Sequence, residues 1–322
     1  MITGLRVKIS ILLLLLFSGL ANAAPQFPRT MYKRQDIERA RKNIENYAWA
    51  RGLYGGIKSA AQPFLAMDRE KLQSYISDKT PLITIKCESC GDGPWYWHET
   101  LDDGNAIRCL NCKKVYYWDP NDQSETWNIQ GLIRYCRLEF LMKGLSSLGI
   151  VYQIEGDRAC AEAAAVLVAR FAETFQNYRP NICNSNVWVS PGEYRRGYSK
   201  IGGYRSAEGW MIRQFLLTYD LIRDSGALSE DQIKFIDRNL IEYTKNYYLS
   251  VYGGQGPLSV ERSPASEGFA WWNFTACAAI LNDTGTLNLT VNTMEKMLNP
   301  AEGFFYSDGT YYQGTPAYNK MA

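Results

Sequence analysis

The most regularly spaced reactive residues of this 322-residue chain are four cysteines. Cys87-Glu88-Ser89-Cys90 and Cys109-Leu110-Asn111-Cys112 form C-x2-C-x18-C-x2-C, a spacing found in zinc ribbons. Each C-x2-C turns sharply enough for both thiolates to reach one metal. Four thiolates complete a closed tetrahedral site, which staples a fold and leaves no position for catalysis. Structural zinc is therefore the expected cofactor, and no organic cofactor is expected. Two disulfides are the other reading, because the compartment inferred below is oxidising. His98, the one histidine, lies inside this module. Four cysteines already suffice for a metal, so it is expected on the surface.

A second concentration of chemistry lies in the last stretch, Phe304 to Asn319. It carries Tyr306, Tyr311, Tyr312 and Tyr318 beside Asp308, Gln313 and two phenylalanines. Aromatic rings exposed in a cleft stack on the C–H faces of sugars, so the stretch is a candidate edge of a carbohydrate-cleaving site. The bland reading of each ring is packing. Further candidates lie on two long segments between helical patterns. Residues 176–203 hold Asn184, Asn186, Trp188, Glu193, Tyr194, Arg195 and Arg196, with Arg205 just beyond. Residues 252–268 run into Trp271-Trp272-Asn273-Phe274. Segments this long inside a compact domain are usually functional. Asn273-Phe274-Thr275 also reads as a glycosylation sequon.

The elements that must position these residues are helices. Ile37, Ala40, Ile44, Tyr47 and Ala48 form an apolar stripe of helical period, which predicts one largely helical run over Arg34 to Met67. Leu132 to Ile150 and the Ala-rich Asp157 to Phe175 are predicted helices joined at Glu155-Gly156-Asp157. Glu208 to Asp224 is another. Ser229-x-x-Gln232 is a capping box opening the next, with Ile233, Ile236, Leu240 and Tyr243 inward. A helix through Leu281 and one from about Thr290 to Leu298 precede the aromatic tail. Serial helix hairpins of this length close into a bundle, a solenoid or an α/α toroid. The four-cysteine module, residues 80–120, interrupts them once.

The N-terminus reads as an export signal over residues 1–23. Arg6 and Lys8 precede an apolar run, Ile9 to Leu20, and Ala21-Asn22-Ala23 has the small-x-small form of a cleavage site. An uncleaved anchor is the alternative. The expectation is an exported protein, periplasmic or secreted, with no membrane association after cleavage. Without Arg6 and Lys8, basic and acidic residues number 33 each. That balance speaks against a nucleic-acid partner, which calls for a basic surface.

The order of features resembles the N-terminal helical domain of the heparinase II/III and alginate-lyase class of polysaccharide lyases. The pieces are the helix from Gln35 to Leu65, Tyr219-Asp220-Leu221-Ile222, the helix opening at Ala227-Leu228-Ser229, the Trp271 to Leu281 segment, and Ser307-Asp308-Gly309 through Tyr318-Asn319. The resemblance implies a mainly α chain: an incomplete (α/α) toroid over residues 24–322 carrying a small zinc-ribbon-like insert. It also implies a β-sandwich that would follow Ala322, so that this sequence is part of a longer enzyme. It implies an acidic polysaccharide as partner, cleaved by β-elimination. By position, Tyr318 matches the catalytic Tyr and Asn273 the carboxylate-binding Asn. Arg195, Arg196 and Arg205 would lower the tyrosine's pKa from about 10. Trp188, Tyr194, Trp272, Tyr311, Tyr312 and Gln313 would line the cleft. Phe274 stands where the family often has His, and Gln313 where it often has Glu. Two other readings stay open: a glycoside hydrolase using carboxylates such as Glu193, Glu208, Glu267 and Asp308, and a non-catalytic glycan-binding toroid.

Overall fold

A computed structural model describes residues 27–82, 86–91, 93–122, 128–182, 198–202, 205–251 and 264–299. Of residues 181, 182, 198, 205–207 and 264–267 only the backbone is described. The export signal and the aromatic tail lie outside these residues.

The chain is mainly helical with a little sheet. Two helices open it, α1 (Arg34–Asn46) and α2 (Ala48–Leu65), followed by the short α3 (Arg69–Ser74). The single run predicted over Arg34 to Met67 is thus broken, at Tyr47, whose backbone is extended. The cause is a change of phase. Ile37 is buried in α1, whereas α2 buries Ala50, Tyr54, Ala61 and Phe64. A straight helix continuing the first stripe would have turned Arg51 inward instead. Tyr47, predicted to lie on that stripe, is about half exposed.

Next comes the four-cysteine module, a three-stranded antiparallel sheet of β1 (Trp95–Tyr96), β2 (Ala106–Cys109) and β3 (Val115–Tyr117). Trp95 pairs with Cys109, and Arg108 with Val115. It leads into α4 (Ile129–Leu141), α5 (Leu145–Glu155) and α6 (Arg158–Thr174). The predicted helix over Leu132 to Ile150 is interrupted between α4 and α5. A Cβ on Gly144 would lie 2.2 Å from the Phe64 ring and 2.3 Å from the Ala60 carbonyl. The chain turns where α2 leaves no room for a side chain. After a two-residue pair, β4 (Asn181–Ile182) with β5 (Tyr198–Ser199), come α7 (Arg205–Ile222) and α8 (Glu230–Ile236). The predicted capping box is formed: Ser229 Oγ accepts from the Gln232 amide, and Gln232 Oε1 from the Ser229 amide. A π turn over Asp237–Glu242 carries α8 into α9 (Tyr243–Val251). Helices α10 (Pro264–Leu281) and α11 (Thr284–Leu298) follow.

Helix α7 is the hub, packed against α5, α6 and α10. Its Phe215 stacks on Phe171 of α6 with centroids 3.8 Å apart. The main core is contiguous from Phe64 through the α5, α6 and α7 residues to Ile280. No helix among the described residues is long and apolar enough to cross a membrane.

Candidate functional site

Charged and polar groups gather in the interior at the N-terminal end of α7. Glu208 and Asn273 have no exposed surface. Gly209 makes the approach possible: a Cβ there would sit 2.6 Å from Phe269 Cβ, so only glycine lets α10 come this close. Across that contact Asn273 Nδ2 donates to the Gly209 carbonyl (2.8 Å) and to Tyr248 Oη (3.0 Å). Both amide hydrogens are therefore engaged. The amide oxygen has no partner among the described residues. At the residue preceding Gly209, Glu208 Oε1 accepts from Tyr247 Oη at 3.2 Å, and its other oxygen from the Lys200 amide.

Lys200 is fully enclosed as well. Its ammonium donates to the Phe175 carbonyl (3.1 Å), the Gln176 carbonyl (2.8 Å) and Tyr243 Oη, which satisfies open carbonyls at the end of α6. The Phe175 and Tyr243 rings lie 5.1 and 4.7 Å from its nitrogen. Burial pushes its pKa down to about 7, against the upward pull of Glu208.

The cluster is under-satisfied. Asn239 Nδ2, Thr244 Oγ1, Trp271 Nε1 and Asn273 Oδ1 are four of the nine buried side-chain polar atoms without a partner among the described residues. All four belong to this end: Asn239 also bonds Gln176, Thr244 lies one turn before Tyr247 and Tyr248, and Trp271 packs against the cluster that holds both tyrosines. A folded chain pairs nearly all such atoms, so a concentration of them calls for a partner.

The predicted site residues divide accordingly. Asn273 is in the cluster. Trp272 is on α10 but faces another way, half-buried against the main core with the Arg213 guanidinium 5.1 Å from its ring. The tryptophan beside the tyrosines is Trp271. Arg205 opens α7, with only its backbone described. Tyr318, Tyr311, Tyr312, Gln313, Trp188, Tyr194, Arg195 and Arg196 lie outside the described residues. Sequence reading missed Lys200, Tyr247 and Tyr248, and gave Tyr243 only a place on the inner face of its helix. Their signal was available: Lys200 is a lone charge in a segment of glycines, tyrosines and Ile201, and Tyr243 and Tyr247 share a helix face by spacing.

The four cysteines converge. Their sulfurs all lie within 4.8 Å of one another, with Cys87 3.6 Å from Cys112 and Cys90 3.7 Å from Cys109. Thiolates 2.3 Å from a central tetrahedral ion would stand about 3.8 Å apart, so the set could hold a metal. The two knuckles repeat one geometry. The residue after each second cysteine, Gly91 or Lys113, has positive φ and donates its amide to the first cysteine's carbonyl, at 2.8 and 3.0 Å. Burial raises the Cys87 thiol, but bonds from Tyr116 Oη and the Ser89 and Cys90 amides outweigh it and bring it down to about 6. His98 stands apart, half exposed and bonded to Thr100 Oγ1 at 2.9 Å.

No family model matches this sequence, and no curated protein does. Among solved structures, an alginate lyase from Bacteroides ovatus is similar at 14% identity and a TM-score of 0.47, over 90% of this chain and 70% of that one.

Proposed function

We propose that this chain is a polysaccharide lyase that cleaves a uronic-acid-containing polymer by β-elimination, on an incomplete α/α toroid. The observation that carries the reading is the concentration, around Asn273, of buried polar atoms without a partner among the described residues; Asn273 is the residue the motif pattern assigns to the substrate carboxylate. A neutral amide can hydrogen-bond a carboxylate and make the proton on the adjoining ring carbon more acidic. Both hydrogens of Asn273 are in use, so its bond to Tyr248 must yield on binding. Tyr318 then removes the ring proton. The electron pair forms the ring double bond, the bond to the departing glycosidic oxygen breaks, and that oxygen takes a proton from tyrosine. Arg195, Arg196 and Arg205 lower the tyrosine's pKa. Trp188, Tyr194, Tyr311, Tyr312 and Gln313 line the sugar path. The test is incubation with alginate, heparin-like and pectic polymers while following the ultraviolet absorbance of the unsaturated product. Absorbance that Tyr318→Phe abolishes and Tyr311→Phe retains supports the assignment. New reducing ends without absorbance would mean hydrolysis and overturn it.

We further propose that Cys87, Cys90, Cys109 and Cys112 hold structural zinc in an exported protein. The sulfur spacing supports this over two disulfides. The bound ion would lock both knuckles onto the sheet and supply no step of the reaction. Elemental analysis of protein purified without chelator should find one zinc per chain. Absence of zinc, with Cys87, Cys90, Cys109 and Cys112 mapped either as free thiols or as two disulfides, would sink the proposal.

A further inference from the structure

A cavity of about 450 Å³ lies at the seam between the four-cysteine module and the helices, away from the Asn273 cluster. Its walls include Gln73 of α3, Asn105 and Trp118 of the module, Arg137 of α4 and Arg170 of α6. That volume is ordinary for a small-molecule site.

Arg137 is the unusual member. It is buried, yet its hydrogen bonds go only to neutral acceptors: Nε to the Gly104 carbonyl (3.1 Å) and Nη2 to Asn105 Oδ1. Asp103 acts on it only from a distance, its own carboxylate being held by Lys71. One edge of the guanidinium is thus used by the module. The other edge, Nη1 with the second Nη2 hydrogen, has no partner among the described residues. Trp118 takes the flat face, 4.4 Å from the carbon, and fixes the plane. A guanidinium edge of this kind matches a carboxylate bidentately.

The other walls narrow the ligand. Arg170 is already neutralised by Asp78 (2.6 Å) and Glu173 (3.1 Å). The lining therefore carries two positive and two negative charges, and Arg137 is the cation of the two without an ion pair among the described residues. Asp78 and Glu173 repel a dianion such as phosphate about twice as strongly as a monoanion, so a monoanion is favoured. The side-chain amide of Gln73 makes no hydrogen bond among the described residues, and Ser74 and Ser77 stand beside it. Neutral amides and hydroxyls suit the hydroxyl groups of a ligand.

We propose that the seam cavity binds a hydroxylated monocarboxylate of sugar-acid type, its carboxylate on the open edge of Arg137 and its hydroxyls toward Gln73. Such a site would also hold the module and the helices in one orientation, because Arg137 grips Gly104 and Asn105 from α4. The proposal does not rest on the elimination chemistry. A monosaccharide acid cannot be cleaved that way, so either reading can fail alone.

The experiment is calorimetric titration of the full chain with sodium D-glucuronate, acetate, glucose and inorganic phosphate. Glucuronate should bind saturably, and each of the other three should bind at least about tenfold more weakly, the worth of one charge-assisted or hydroxyl contact set. Arg137→Gln should weaken glucuronate about tenfold or more. Because that change also loosens the module, Gln73→Glu is the second variant: it adds a repelling charge and breaks no internal bond. It should weaken binding similarly while leaving the melting temperature unchanged. Saturable glucuronate binding that Gln73→Glu leaves intact overturns the proposal, as does phosphate binding more tightly than glucuronate, or no saturable binding of glucuronate.

Discussion

The two ends of α7 both bury charge, and they do so differently. At the C-terminal end, Asp220 is fully enclosed but accepts three bonds: the Arg29 amide (2.7 Å), the Thr30 amide (2.9 Å) and Thr30 Oγ1 (2.6 Å). Asp237 takes Tyr219 Oη at 2.6 Å and Arg223 Nη2 at 2.5 Å, and Arg223 Nε returns to Tyr219 Oη. None of these groups leaves a buried atom unpaired among the described residues. At the N-terminal end four atoms lack a partner among the described residues, on Asn239, Thr244, Trp271 and Asn273. The satisfied end fastens the N-terminal segment to the hub. A stability network and a binding site use the same residue types and are distinguished by what remains unpaired.

If this contrast is right, damage at the two ends should be read by different instruments. The largest stability loss is expected from Asp220→Ala, which strands two amides and a hydroxyl. Chemical denaturation should register about 4 kcal/mol, with binding of acidic polymer per folded molecule unchanged. A loss of binding equal to that of an Asn273→Ala chain would erase the distinction between the ends. Next is the pH dependence carried by Lys200. Its folded pKa, about 7, lies below the unfolded lysine value of about 10.4. Between the two the unfolded chain binds the extra proton, so this group makes stability rise with pH from about 7 and level off near 10. Compared with Lys200→Met, the native chain should gain on the order of 3 kcal/mol across that window. Parallel curves for the two proteins would show that Lys200 titrates normally and that the N-terminal end is wetter than its geometry indicates.

How far each end could be read from sequence follows from how far apart its residues lie. The cysteine cluster was legible because C-x2-C is a local geometry, complete within one turn. The Ser229–Gln232 capping box was legible for the same reason. Asn273 was singled out by a motif pattern, and the structure gives it neighbours that no pattern supplied. Residues 200, 208, 243, 247, 248 and 273 meet only because Gly209 lets α10 against α7 and because a π turn rotates α9. Neither event has a short-range signature. The same limit hid the break at Tyr47, where the apolar stripe continues in sequence while the buried face moves, and the one at Gly144, set by a ring eighty residues away. Trp272 shows the limit at its finest. Adjacent residues on a helix point about 100° apart, so Trp271 packs against the cluster that holds the tyrosines and Trp272 against the main core.

The smallest effect tests the contrast most directly, because it compares one atom at each end. Tyr219→Phe removes the hydroxyl shared by Asp237 and Arg223. Tyr248→Phe removes the hydroxyl that accepts from Asn273. Each change deletes one oxygen and keeps the ring. At the C-terminal end a charge-assisted bond is lost inside a complete network, so unfolding should fall by about 2 kcal/mol and polymer binding should not move. At the N-terminal end a neutral bond is lost, worth about 1 kcal/mol, and one amide hydrogen of Asn273 is set free. If that hydrogen is the one a uronate carboxylate must claim, binding no longer has to break the tyrosine bond first. Affinity for an acidic oligosaccharide should then hold or rise by a fewfold although the protein is less stable. A Tyr248→Phe protein that loses stability and affinity together would mean that the bond to Asn273 is a brace like those at the other end, and that the carboxylate is bound elsewhere.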